Sequence, residues 1–172
     1  MVLRPYPPNT RTEMYLLSIS CELIKGRPIS STLVQKWKGN YLSDSSENSR
    51  HHAYNSAINQ LKTQDGFNRV LFSSFIQKMN QHMKTQSRVI IVTDKFLYRL
   101  DEKFHMTKGK EPIKLNDIVV AHINNESEYQ LIVLTFKNSE YDLVFYLDSN
   151  GSAKDIDRVP EFLANIYRTQ IK

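Results

Sequence analysis

Residues 88–101, with the sequence RVIIVTDKFLYRLD, are typical of two strands joined by a tight turn. The first strand is rich in valine and isoleucine, which favour extended backbone, and Thr93-Asp94 supplies the turn. The second strand, from Phe96 to Leu100, alternates its side chains between two faces, at least one of which must be core. The stretch therefore predicts an antiparallel hairpin with a buried face.

Extended runs on both sides of this hairpin bring the predicted total to seven strands. They are Phe67–Asn80, Arg88–Thr93, Lys95–Asp101, Thr107–Leu115, Val119–Asn124, Tyr129–Phe136 and Glu140–Leu147. An amphipathic helix is predicted over about 152–171, although Pro160 lies within it. This order indicates a mainly β fold with helices (α+β), in which a strongly bent antiparallel sheet is capped by a C-terminal helix. That is the pleckstrin-homology architecture, although periodicity alone does not separate it from other small barrels.

The chain before the first strand predicts a short linker and a helical annex. Residues 1–12 contain three prolines and no periodic apolar pattern, as expected of a linker. Apolar spacing predicts a buried helix over 13–25 and a shorter one near 30–37. The polar stretch 43–66 carries one amphipathic patch. We therefore expect residues 13–172 to form one domain, with an annex over 13–66 and a barrel with its helix over 67–172.

The charge of the chain is concentrated in one segment. The net charge is +5, and the segment between Lys78 and Lys110 holds eight Lys or Arg against three acids, so that the remainder is neutral. A basic segment in a neutral protein indicates a polyanionic partner, either nucleic acid or an anionic membrane. The alternative is a solvated face that only keeps the protein soluble.

The sequence contains no recognisable catalytic or cofactor motif. Its five glycines are too scattered for a phosphate-binding loop, and its paired carboxylates fall at predicted turns. A single cysteine cannot form an intramolecular disulfide or a zinc site of several thiolates. We predict that the chain is not an enzyme and that it has no cofactor and no metal site.

Four runs together resemble the tail homology 1 domain of class I myosins. The segment KGNYL at 38–42 is similar to the family's G-D/N-Y-L turn, and the run 88–104 to its core hairpin. PIKLNDIVVAHIN at 112–124 and YDLVFYL at 141–147 are similar to later strands of the family. Asn40 stands where the family usually has Asp, and 43–66 has diverged.

The resemblance implies a headgroup site on the first two barrel strands. In the family, a Lys ends the first strand and a K/R-x-R motif begins the second, and these map to Lys78 and Arg88. Gln86 replaces the first cation of the motif, with Lys84 nearby as a substitute. From the residues alone, Lys78, Lys84 and Arg88 flank a hairpin and can converge at one open end of the barrel. The additional basic membrane face is predicted to comprise Lys95, Lys103, Lys108 and Lys110.

The resemblance also implies the cellular role. It implies the membrane-targeting tail of a single-headed actin-based motor, which binds anionic phospholipids including phosphoinositides and links the motor to the membrane. Calmodulin and actin would be bound through upstream regions, and the chain would be a cytoplasmic monomer, peripheral at membranes and the cortical actin cytoskeleton. Two alternatives stay open: a pleckstrin-like module that binds protein cargo, and, less favoured, a nucleic-acid-binding domain whose aromatic side chains stack on bases.

Overall fold

The computed structural model describes residues 2–5, 37–107, 110–124, 131–137, 142–148 and 155–170. The predicted helix over 13–25, residues 30–36 of the predicted helix near 30–37, and Lys108 lie outside these residues. The strands are β1 (Val2–Pro5), β2 (Val70–Met79), β3 (Thr85–Thr93), β4 (Phe96–Asp101), β5 (Ile113–Lys114), β6 (Ile118–Asn124), β7 (Leu131–Phe136) and β8 (Leu143–Leu147). The helices are α1 (His51–Asp65), α2 (Asp155–Gln170) and two short 3-10 turns, Tyr41–Ser43 and Leu115–Asp117. No helix in the described part of the chain is long and apolar enough to cross a bilayer.

The strands form one curled sheet in the order β1-β6-β7-β8-β2-β3-β4-β5. Strands β2 to β8 pair antiparallel, and β2 pairs with both β3 and β8. The prediction of seven antiparallel strands followed by a helix is therefore confirmed. Residues 2–5, inside the segment that we predicted as a linker, add an eighth strand that pairs in parallel with β6.

The predicted strand over 107–115 is much shorter in the structure. Only Ile113–Lys114 pairs with β4 as a strand. After β4 the chain turns sharply, since Phe104 has a φ of +67° and donates its amide N–H to the carbonyl of Asp101 at 3.0 Å. Pro112 then lacks the amide N–H that a ladder requires. The turn and the proline explain why the sequence pattern predicted a longer strand than the structure contains.

The concave side of the sheet encloses the main core, which we call the inner core. Phe72, Ile76, Ile90 and Leu97 contribute to it from β2, β3 and β4. Helix α2 completes it at one end, where the Phe162 ring lies 5.4 Å from Phe72 and 5.6 Å from Phe145, centroid to centroid. The C-terminal helix thus closes one end of the half-barrel, as predicted.

Helix α1 covers the opposite face of β3 and β4. Its buried residues Tyr54, Ile58 and Leu61 pack with Val89 and Tyr98 in a second apolar cluster. These three residues form the amphipathic patch of the polar stretch 43–66, in which His51–Asp65 is helical. Both faces of the β3–β4 hairpin are consequently buried.

The segment before α1 is joined to α2 by buried hydrogen bonds. Gly39 has a φ of +75°, and a Cβ atom there would lie 2.7 Å from the carbonyl oxygen of Leu71. Its amide N–H donates to Glu161 Oε1 at 2.7 Å, while the Tyr41 hydroxyl donates to Glu161 Oε2 at 2.5 Å. The close approach and the positive φ explain why glycine occupies position 39.

An arginine completes this junction. Arg158 donates to Glu47 at 2.9 Å, and its guanidinium lies 4.0 Å from the centroid of the Tyr41 ring. Glu161 is 1% exposed, and burial raises the pKa of its carboxyl, although hydrogen bonds from Tyr41 and Gly39 and the charge of Arg158 act in the opposite direction. We call Gly39, Tyr41, Glu47, Arg158 and Glu161 the buried polar cluster.

Candidate functional site

Three cations extend the concave face of the sheet beyond the inner core. Side chains two residues apart on a strand share a face. Lys78 follows Ile76 on β2 at this spacing, and Arg99 follows Leu97 on β4. Arg88 precedes Ile90 on β3 in the same way, and it lies opposite Ile76 in the ladder. The three cations therefore share the concave face, where Lys78 lies opposite Phe145 in the β2–β8 ladder.

A fourth cation joins these three from the loop between β4 and β5. Lys110 donates its amide N–H to the carbonyl of Thr107 at 2.9 Å, and the Thr107 hydroxyl donates to the carbonyl of Arg99 at 3.0 Å. Burial lowers the pKa of Lys78, and the positive charges of Lys110, Arg99 and Arg88 lower it further. Three positive charges thus act on Lys78. We call Lys78, Arg88, Arg99 and Lys110 the basic rim.

Arg99 is the member of the rim that sequence reasoning missed. It is half-buried, its Nε has no hydrogen-bond partner within the described structure, and burial lowers the pKa of its guanidinium. Its Nη2 donates to the carbonyl of Glu111 at 3.4 Å, a long contact. The sequence did contain a signal for this residue. Arg99 interrupts an otherwise apolar stretch of the predicted strand, since Leu97, Tyr98 and Leu100 are all core residues.

Three acids lie near the rim: Asp101, and Glu111 and Asp117, which line a cavity together with Arg99. Asp101 is opposite Arg88 in the β3–β4 ladder. Partial burial acts to raise its pKa, but the amide N–H groups of His105 and Lys103 and the charges of His105 and Arg88 hold the pKa below its ordinary value. Asp101 Oδ1 accepts from both amides, at 3.0 Å and 2.9 Å, so this carboxylate shapes the turn after β4.

The other predicted cations are distributed unevenly. Lys84 is exposed in the β2–β3 loop, and Lys103 is exposed in the turn after β4, so both lie at the same end as the rim. Lys95 lies in the β3–β4 turn and donates its Nζ to the carbonyl of Gly66. Seven residues separate it from Arg88, about 23 Å at 3.3 Å per residue. The structure therefore does not bring Lys95 together with the headgroup residues.

The arrangement of the rim suits an anionic ligand. Within the described residues, none of its four cations forms a salt bridge, and no group of three or more His, Cys, Asp or Glu could hold a metal ion. Arg99 also lines an open cavity of about 330 Å³, with Ile113, Phe136 and Lys137 among its other walls. Two guanidinium groups and two ammonium groups offer donors with the geometry for phosphate oxygens.

Comparison with solved structures gives pleckstrin-homology domains among the similar folds. The N-terminal PH domain of human ARAP2 is 12% identical and covers 58% of this chain and 82% of that chain, with a TM-score of 0.42. Autoinhibited Vav1 is 13% identical and covers 90% of this chain and 31% of that chain, also with a TM-score of 0.42. The fold itself is established by the strand order and C-terminal helix described above.

Sequence relatives identify the family. The family model for the unconventional myosin tail, described as actin- and lipid-binding, matches residues 27–171. Unconventional myosin ID of Drosophila melanogaster is 32% identical over 98% of this chain, and unconventional myosin-Id of Homo sapiens is 28% identical over 98%. The chain spans 17% of the length of each of these relatives. The chain belongs to the unconventional myosin tail family, an actin- and lipid-binding rather than a catalytic domain, and its relatives are class I myosins.

Proposed function

We propose that this chain binds anionic phospholipid bilayers through the basic rim, with a phosphoinositide headgroup as the preferred ligand. The observation that carries the proposal is the convergence of Lys78, Arg88, Arg99 and Lys110 on one end of the concave face. Burial and the positive charges of its three neighbours disfavour the charged state of Lys78, and a ligand with several phosphate groups would offset the repulsion among these charges.

Donor geometry supports phosphate rather than a single carboxylate. Arginine presents a planar fork that binds two phosphate oxygens at once, and lysine supplies a mobile point charge. The Nε of Arg99 is a buried donor without an acceptor, a state that costs free energy until a ligand supplies one. Two arginines and two lysines can therefore hold more than one phosphate.

Diffuse attraction to a membrane would be weak. Each basic residue near an anionic surface contributes about 1 kcal/mol, so that four contribute about 4 kcal/mol. That corresponds to a Kd of about 1 mM. Direct headgroup contacts at the rim are required for tighter attachment, and the exposed Lys84 and Lys103 add diffuse attraction at the same end.

In a longer protein, this domain would attach a motor to a membrane. The relatives are class I myosins of which the chain spans 17%, and we propose that the regions outside it provide the motor and the sites for calmodulin. The family description adds actin as a second ligand of the tail. Lipid binding at the rim leaves the exposed side of α1 free to contact protein cargo.

Co-sedimentation with vesicles tests the site. Wild type, Lys78→Ala, Arg88→Ala and the control Lys95→Ala would be compared on phosphatidylcholine vesicles containing phosphatidylserine, with and without phosphatidylinositol bisphosphate. We expect each rim variant to lose about 1–3 kcal/mol of binding free energy, because a convergent charge-assisted contact is removed. Lys95→Ala should lose about 1 kcal/mol or less, because that lysine lies at the other end of the hairpin.

Two results would contradict the proposal. Equal losses in Lys95→Ala and Arg88→Ala, with all binding abolished by modest salt, would reduce the interaction to net charge, which is screened over about 8 Å. Binding to a single-stranded oligonucleotide at matched salt that equals or exceeds vesicle binding would instead favour a nucleic-acid ligand.

A further inference from the structure

The loop between β2 and β3 exposes an apolar side chain. Of the large apolar side chains that the structure describes, only Met83 is exposed, at 73%. It also has a φ of +62°, a left-handed conformation that is uncommon outside glycine and asparagine. A single exposed apolar residue needs no explanation by itself. Here an exposed apolar surface and an unfavourable backbone conformation coincide in one residue.

The loop holds this conformation through a single asparagine. The carbonyl of Asn80 accepts from the amide of Met83 at 3.0 Å, and Asn80 Oδ1 accepts from the amides of His82 and Lys84 at 2.9 Å and 3.0 Å. The amide of Asn80 donates to the carbonyl of Lys84 at 2.9 Å. The tip is therefore a closed, hydrogen-bonded loop that presents Met83 outward in a defined position.

The charges around the tip match an anionic surface. Lys84 follows Met83 directly, and Lys78 and Arg88 of the basic rim lie on the two strands that carry the loop. A bilayer whose headgroups contact the rim would meet this loop at the level of its interface. Methionine is flexible and apolar, and it gains free energy when it leaves water for the acyl region.

We propose that Met83 inserts into the hydrocarbon margin of the bilayer while the basic rim contacts the headgroups. The inference rests on the proposed function, since insertion follows attachment at the rim. Insertion would explain both the exposure of the Met83 side chain and the uncommon backbone conformation at Met83. The loop would then serve to present an apolar tip that the folded chain itself does not bury.

Two binding measurements distinguish insertion of Met83 into the bilayer from recognition of the headgroup by the basic rim. The full chain, Met83→Asn, Met83→Leu and the control Gln81→Asn would be measured on the phosphoinositide-containing vesicles and with inositol 1,4,5-trisphosphate in solution. Asparagine tolerates a positive φ, so that Met83→Asn should fold at least as stably as wild type. We expect it to bind vesicles about tenfold more weakly, equal to about 1.4 kcal/mol. Its binding of inositol trisphosphate should be unchanged, and Met83→Leu and Gln81→Asn should resemble wild type on vesicles.

Quenching by lipids brominated in the acyl chains gives a direct readout. Met83→Trp should be quenched on such vesicles, whereas wild type, which carries only Trp37, should not. Equal vesicle binding by wild type and Met83→Asn would overturn the inference and leave the headgroup site standing. Loss of inositol trisphosphate binding in Met83→Asn would also overturn it, since the loop would then shape the pocket. Absence of wild-type vesicle binding would reject the proposed function itself.

Discussion

The two ends of the concave face both carry charged residues, but in opposite arrangements. At the α2 end, the buried polar cluster combines Arg158 with Glu47 and Glu161, and each of these groups has a hydrogen-bond partner. At the other end, the basic rim combines four cations, and no salt bridge joins any of them to an acid in the described structure. Along β2, about 20 Å of strand separates Phe72 from Lys78. Lys78 lies opposite Phe145, whose ring, like that of Phe72, packs against Phe162 of α2.

The charged residues of the buried polar cluster stabilise the folded state, whereas those of the basic rim destabilise it. The ion pair between Arg158 and Glu47 and the hydrogen bonds that Glu161 accepts hold α2 against the 37–47 segment. Burial and three neighbouring positive charges lower the pKa of Lys78, which makes its charged form less favourable in the folded state and favours an anionic ligand. Substitutions in the buried polar cluster should therefore lower the free energy of unfolding, whereas substitutions in the basic rim should weaken vesicle binding and leave stability equal or higher.

The largest effect is expected for Glu161→Ala. The substitution removes the acceptor for the Tyr41 hydroxyl and for the amide of Gly39, and each buried donor left unpaired costs about 1–3 kcal/mol. We expect the free energy of unfolding to fall by about 4 kcal/mol in urea titrations. The exposed Glu102→Ala should change it by less than about 0.5 kcal/mol. A loss below 1 kcal/mol in Glu161→Ala would show that the cluster does not hold α2 in place.

A somewhat smaller effect is expected for Gly39→Ala. The left-handed backbone costs about 1–2 kcal/mol for a residue with a Cβ, and the contact with the Leu71 carbonyl adds about 1–3 kcal/mol. We expect a loss of about 3 kcal/mol in the free energy of unfolding. Gly66→Ala is the matched control, because Gly66 has a φ of +72° but open space around its Cβ position. It should cost only about 1 kcal/mol, and equal losses at both glycines would exclude the steric contribution.

The sequence predicted the strands more completely than the site. Alternating β-branched and aromatic residues mark a buried face wherever the strand lies, so that all seven antiparallel strands could be recognised. Lys95 was assigned to the additional basic membrane face because it lies in the basic segment of the sequence, whereas β3 places it at the end of the hairpin opposite Arg88. Glu161 and Arg99 were missed because composition shows a charge but not its depth or its neighbours. Pairing across 120 residues, as between Tyr41 and Glu161, has no local signature.

The smallest effect is expected for Arg99→Met, and its sign is the most informative. Methionine keeps much of the apolar stem and removes a half-buried charge with an unpartnered Nε, so that the free energy of unfolding should stay equal or rise by less than about 1 kcal/mol, allowing for solvent screening. Vesicle binding should fall at the same time. The matched change at the other end, Arg158→Met, should lower the free energy of unfolding by about 3 kcal/mol, because Glu47 loses its partner.

A titration of Lys78 by NMR provides the independent check on Arg99→Met. Arg99 is one of the charges that lower the pKa of Lys78, so that its removal should move this pKa back towards the ordinary value of 10.5. With a folded-state pKa below 10.5, the unfolded state of wild type binds more protons between the two values, and stability rises with pH across that window. The rise should be smaller in Arg99→Met. An unchanged Lys78 pKa, or a destabilisation equal to that of Arg158→Met, would show that Arg99 stabilises the fold and is not part of a ligand site.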